Sequence, residues 1–155
     1  MLWLRKNRID DLMTSHVLIA ADHRGLTLKA YLKEELTQQG YSVADLGTHT
    51  ETAVDYPDIA AAMAEALLNK PKDKGILICG SGIGISIAAN RYRHLRAALC
   101  HDHLSARLAR LHNDANVLVL GSGFVGMAVA MDATLTFLKT SFEGGRHTVR
   151  VDKMG

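Results

Sequence analysis

Two cysteines in 155 residues, Cys79 and Cys100, are too few for a disulfide framework. A reducing compartment, the cytoplasm, is therefore the expected setting. Charge of one sign is equally scarce, with 18 Lys and Arg against 16 Asp and Glu and a formal net charge of +2. Such a balance supplies no basic field for nucleic acid or an anionic membrane surface. No apolar run approaches the ~20 residues of a membrane-spanning helix. Eight histidines are present, but they form no tandem tract. The rest is ordinary for a globular chain: 48% hydrophobic and 22% charged residues exclude a disordered polymer.

Residues 1–12 read MLWLRKNRIDDL, basic and mixed, with no apolar stretch long enough for a signal peptide. We expect Met13 to be the natural start and residues 1–12 to be a translated upstream stretch or a disordered extension. A short arm packing on a partner through Leu2, Trp3 and Leu4 is the alternative. Residues 13–155 are then expected to form one domain, which suits their length.

From His16 onward the chain alternates strand and helix patterns. HVLIAA at 16–21 is continuously apolar, as in a strand buried on both faces. Leu26, Leu28, Tyr31, Leu32 and Leu36 form a helical stripe over 25–39, which Gly40 stops. Strands are expected at 41–46, 75–79, 96–100 and 116–120. Helices are expected from Pro57 onward and over 85–90, 104–111 and 127–139, with a polar tail after them. This order implies a parallel sheet covered on both faces, a Rossmann-like αβα sandwich with five strands. Such sheets bind ligands beyond the carboxyl ends of their strands. Asp22–His23, Asp55–Tyr56, Cys79–Gly84, His101–His103 and Gly121–Gly126 all fall at such ends.

Two of those segments are glycine-rich. Gly121-Ser122-Gly123-Phe124-Val125-Gly126 matches the dinucleotide pattern GxGxxG. Only one helix and a tail follow it, so no second half remains to hold the other nucleotide, and we read it as a tight strand–helix turn. CGSGIG at 79–84 is more informative. Glycines at 80, 82 and 84 allow successive N–H groups to face one concavity at a helix N-terminus, a nest for an oxyanion or phosphate. It is no Walker loop, because the Lys-Ser/Thr end is missing. The positive end of a helix favours thiolate, the reactive form of cysteine, so Cys79 reads as functional. A buried strand-end cysteine is the plainer alternative, and it is our reading of Cys100. His101, Asp102, His103, His112 and Asp114 have no standard metal-ligand spacing. No metal is expected, and His112 reads as an imidazole available for acid–base work.

These residues bring a family into view. ADH at 21–23, DYP at 55–57, ICGSGIGISIAANR at 78–91, RLARLHNDANVL at 107–118 and EGGRHTVR at 143–150 resemble ribose-5-phosphate isomerase B. The resemblance runs from Val17 to Val151, and allose- and galactose-6-phosphate isomerases share the wider family. It implies interconversion of ribose 5-phosphate and ribulose 5-phosphate without cofactor or metal. It also implies a homodimer or homotetramer whose active sites are shared between subunits.

Residue by residue, the resemblance assigns Cys79 as the base moving a proton from C2 to C1. Gly80, Gly82, Gly84 and the Ser81 hydroxyl would stabilise the enediolate. His112 would open the sugar ring, with Asn113 holding the sugar. Asp22 and Tyr56 would line the sugar site, with Asp55 a weaker candidate for proton handling. His23, Arg146 and Arg150 would grip the phosphate, since Arg suits bidentate phosphate contacts. Some relatives use a Glu base where this chain has Ile85; Cys79 with an apolar Ile85 marks the cysteine type. One departure stands out. Where the family commonly reads GSR, this chain has Gly121-Ser122-Gly123, while Arg24 follows the Asp-His pair and is a candidate replacement.

Overall fold

The protein's computed structural model describes residues 16–155, so the expectation for residues 1–12 lies outside the described residues. Five strands form one parallel sheet: β1 (Val17–Ala21), β2 (Val43–Asp45), β3 (Lys74–Cys79), β4 (Ala97–Leu99) and β5 (Val117–Gly121). Between and after them run α1 (Leu26–Gln38), α2 (Tyr56–Leu67), α3 (Ile83–Ala89), α4 (His103–Asn113), α5 (Met127–Lys139) and α6 (Arg146–Met154). The spatial order is β2-β1-β3-β5-β4. From β1 the chain steps outward to β2, then crosses back to β3 on the other side. That reversal opens a crevice at the carboxyl ends of β1 and β3.

Strand pleating divides the core into two layers. Val17, Ile19, Ala21, Ile76, Ile78, Leu118 and Leu120 face α1, α4 and α5 through Leu32, Leu36, Ala106 and Phe137. Leu18, Ala20, Leu77, Cys79, Val117 and Val119 face α2 and α3 through Met63, Leu67, Ile85 and Ala89. The expected αβα sandwich is thus observed, and Cys79 lies on the α2–α3 side. Among the described residues no helix is long and apolar enough to cross a membrane.

The differences from the sequence pattern are local. The strands expected at 41–46 and 96–100 shorten to three residues each, because both lie at sheet edges and have one neighbour to pair with. α3 begins at Ile83 rather than Ile85, and Tyr56 rather than Pro57 opens α2. The expected polar tail contains a helix, α6, whose only buried residue is His147. One inward residue gives too weak an apolar period to read from sequence. At the β2 edge the buried Lys29 ammonium donates to Asp45 at 2.7 Å. Burial pushes the Asp45 carboxyl up, but the Lys29 hydrogen bond, the Gly47 N–H and the Lys29 and Lys33 charges outweigh it. The net effect holds it below the usual aspartate value.

Candidate active site

The crevice at the carboxyl ends of β1 and β3 is built by three turns pressed together. After β1, the buried Asp22 carboxylate accepts from Arg24 N at 3.0 Å and caps a 3₁₀ turn, His23–Gly25. His23 Nδ1 accepts from Val54 N at 3.2 Å, so its neutral ring carries the proton on Nε2. After β3, Cys79 is 4% exposed, and its Sγ accepts from Gly82 N at 3.1 Å. Gly82 makes this bond with φ +77°, and a Cβ there would also strike Leu99 Cδ1 at 2.5 Å. Only glycine fits.

The N–H groups of Gly80, Ser81 and Gly84 have no acceptor among the described residues. Ser81 Oγ accepts from Ile83 N at 3.1 Å, which leaves its hydroxyl proton free to donate. Side chains roof the turn from both sides. The Arg24 guanidinium lies along Gly80, its Nε 2.8 Å from where a Cβ would stand, and has no carboxylate within 4.0 Å among the described residues. The Tyr56 ring lies against Gly84, with Oη 2.9 Å from the corresponding point. Asp55 is exposed beside it.

The turns after β5 and β4 commit several of their donors within the protein. After β5, Ser122 N donates to Cys79 O and Gly123 N to Gly80 O, both at 2.9 Å, while Phe124 and Val125 donate to Gly121 O. This is why the GxGxxG pattern makes no nucleotide cradle here: two of its N–H groups fasten the β5 turn to the Cys79 turn and two more close the turn on Gly121 O. After β4, Asp102 and Ser105 cap α4 reciprocally. Cys100, 1% exposed, precedes that filled cap, and burial pushes its thiol up to about 11. The two cysteines end similar strands in opposite environments.

His112, Asn113, Arg146 and Arg150 lie elsewhere. α4 runs back along the sheet and ends beside the start of β5, and Val117 is in register with Gly75 at the amino end of β3. Cys79 is four residues further along β3, roughly 13 Å at strand rise. Within one chain, therefore, His112 and Asn113 are not brought to Cys79. The α4 terminus is held firmly. Asp114 takes the left-handed C-cap conformation at φ 46°, and its carboxylate receives Arg110 Nη1 at 2.9 Å and Arg96 Nη2 at 3.2 Å.

On this terminus the His112 ring stacks on His147, with centroids 4.3 Å apart and planes at 16°. Glu143 Oε2 lies 3.8 Å from His112 Nε2 and 3.4 Å from His147 Nε2. Burial, then the His112 charge, lowers the His147 pKa. Arg146 and Arg150 are exposed on α6, which starts three residues after Glu143. Sequence reasoning missed Glu143 and His147, although their i, i+4 spacing within EGGRH was the available signal. The set His101, Asp102, His103, His112 and Asp114 disperses, since Asp102 and Asp114 serve as helix caps and His103 bonds Thr136. Two cavities, of about 440 and 530 Å³, lie away from Cys79, and Asn113 lines the first. Neither includes Cys79, whose turn opens at the surface between Arg24 and Tyr56.

Comparisons with known proteins show the family and the fold. The family model for ribose/galactose isomerase matches residues 17–154. Ribose-5-phosphate isomerase B of Escherichia coli is 43% identical over 136 residues, covering 88% of this chain and 91% of that protein. The solved Clostridium thermocellum ribose-5-phosphate isomerase B superposes with a TM-score of 0.88 at 48% identity, covering 90% of this chain and 95% of the other. The Mycoplasma genitalium enzyme, solved with bound ribulose-5-phosphate, gives a TM-score of 0.87 at 44% identity, covering 91% and 94%. The chain belongs to the ribose/galactose isomerase family.

Proposed function

We propose that the protein interconverts ribose 5-phosphate and ribulose 5-phosphate through an enediolate. The observation that carries this reading is a thiol under a helix N-terminus, beside three N–H groups with no acceptor among the described residues. Deprotonating a sugar at C2 needs a base near that carbon and donors where negative charge then gathers. Cys79 is the base: as thiolate it takes the C2 proton of the open-chain aldose and returns it to C1. Gly80, Ser81 and Gly84 N–H, with the Ser81 hydroxyl, receive the enediolate oxygen. Asp22 and Tyr56 bound the sugar, and Asp55 is the weaker candidate for passing a proton between O1 and O2.

Ring opening and the phosphate grip need groups that stand at the other end of the sheet. We therefore infer a symmetric homodimer, or a tetramer built from such dimers, in which each site joins one chain's Cys79 end to a second chain's His112 end. A two-fold axis meets this requirement, because each copy gives one half and receives the other. His112 opens the furanose by acid–base transfer, Asn113 holds the sugar, and Arg146 and Arg150 take the phosphate with the first chain's His23. Arg24 is positioned to add a charge-assisted contact where Gly123 has no side chain.

The direct test is ribose 5-phosphate to ribulose 5-phosphate conversion by purified protein with chelator present. Allose and galactose 6-phosphates run beside it compare kcat/KM. Turnover of ribose 5-phosphate at the highest kcat/KM is expected; turnover confined to a hexose phosphate would replace the substrate, and none on any of them would end the reading.

A further inference from the structure

The mechanism above uses one of three side chains that meet beneath α4. His112, Glu143 and His147 form one cluster, with a ligand atom from each lying within 4.8 Å of the others. His147 is 5% exposed, and its Nε2 is a buried polar atom with no hydrogen bond among the described residues, the Glu143 carboxylate standing 3.4 Å away. A buried ring nitrogen that makes no hydrogen bond is costly unless something occupies it. The three residues come from the last turn of α4, the loop after α5 and the first turn of α6. The Glu143 N to Leu111 O bond at 3.1 Å ties that loop to α4.

We propose that His112, Glu143 and His147 form a binding site for a divalent transition-metal ion of the zinc class, and that the ion inhibits the isomerase. Two imidazoles and one carboxylate are a donor set for zinc or its borderline neighbours rather than for calcium or magnesium, which prefer oxygen. With metal–ligand bonds of about 2.0–2.2 Å, tetrahedral donors stand about 3.3–3.5 Å apart. The 3.4 Å and 3.8 Å separations from Glu143 Oε2 are close to that spacing. His112, on the half-exposed end of α4, fans away from the stacked His147 ring to aim its lone pair at the ion. His147 is already fixed by burial. The fourth position stays open, and the flanking Arg146 and Arg150 favour an anion there. Inhibition follows because the ion occupies the imidazole nitrogen that ring opening needs. This inhibitory half rests on the role proposed for His112, whereas the binding half does not.

The test uses the full chain, stripped with chelator. Cobalt(II) added to it is expected to give the visible bands of a tetrahedral site at one ion per chain. Zinc should displace cobalt, raise Tm and block ribose 5-phosphate turnover reversibly, with EDTA restoring it. Glu143→Gln and His147→Asn should each weaken zinc binding at least about tenfold and abolish the Tm shift. The exposed His103→Asn should bind zinc like the parent. Thermal unfolding without metal checks that the variants fold, and calorimetric zinc titration of Glu143→Gln alone decides the matter if His147→Asn does not. Zinc binding equally to parent and Glu143→Gln, or no tetrahedral cobalt spectrum, would overturn the site. Binding at the cluster without inhibition would keep the site and remove the ring-opening role of His112.

Discussion

At the carboxyl end of its sheet the chain presents backbone N–H donors, a thiol and a hydroxyl around Cys79. At the amino end it presents two imidazoles, two exposed guanidiniums and a carboxylate around His112. The first set suits proton transfer at carbon with a developing oxyanion. The second suits proton transfer at oxygen and the holding of a phosphate. Their construction differs as much as their chemistry. The Cys79 end is precise because glycines let three turns touch: a Cβ at Gly121 would lie 2.4 Å from Ser81 O. The His112 end is precise because ions pin a helix terminus, through Arg96 and Arg110 on Asp114. Neither end holds the full set of groups for a cyclic sugar phosphate, and the sheet keeps them apart in one chain.

The comparison is sharpest when each end is disabled in turn. Cys79→Ala should fold normally, as a small change at the edge of the core, and lose about 10²–10⁴-fold in kcat, the usual worth of a general base. Under limiting alkylating reagent Cys79 should react before Cys100, whose thiol burial pushes up to about 11. Mass mapping of the labelled peptides checks this. Near-normal turnover in Cys79→Ala would leave the carboxyl end without its base.

His112→Asn should cost about 10²-fold on cyclic ribose 5-phosphate and far less on substrate supplied in open-chain form. Steady-state kinetics on both forms separate the two ends, and equal losses would move His112 into the isomerisation step. Arg24→Ala should raise KM for ribose 5-phosphate about 10- to 150-fold, as expected for loss of a charge-assisted bond worth roughly 1.5–3 kcal/mol. A neutral inhibitor without phosphate should bind unchanged. KM unaltered by Arg24→Ala would leave the guanidinium over Gly80 without a role in substrate binding.

Asp45→Asn touches neither end and is the contrasting case. Its carboxyl is held low in the fold, so its contribution is present above the unfolded aspartate value and is lost as pH falls through the folded one. The variant should lose about 1.5–3 kcal/mol of stability at neutral pH, read by urea unfolding. The deficit should shrink toward acid as the parent's own Asp45 protonates. Activity per folded molecule should not change.

Much of the carboxyl end was legible in the sequence, because its chemistry lies in contiguous segments. HVLIAADH and GILICGSGIG each show a buried strand running into its functional turn. The position of His112 relative to Cys79 was not legible. It depends on α4 running back along the sheet, which spacing along the chain does not reveal. Glu143 and His147 were hidden for a related reason: α6 buries only one residue, so its segment reads as a polar tail. The GxGxxG match, read from the sequence as a tight strand–helix turn, forms such a turn. What the sequence did not show is that its Ser122 and Gly123 N–H groups bond the Cys79 turn, a tertiary contact between residues some forty positions apart.

The most direct measurement of the two-ended site mixes its broken halves. Equal amounts of Cys79→Ala and His112→Asn chains, unfolded and refolded together, should form mixed dimers in which one of the two sites is intact. With random pairing the mixture should recover about a quarter of the parent's kcat on ribose 5-phosphate. If refolding together gives no more activity than the sum of the two variants refolded apart, Cys79 and His112 do not act across a subunit boundary.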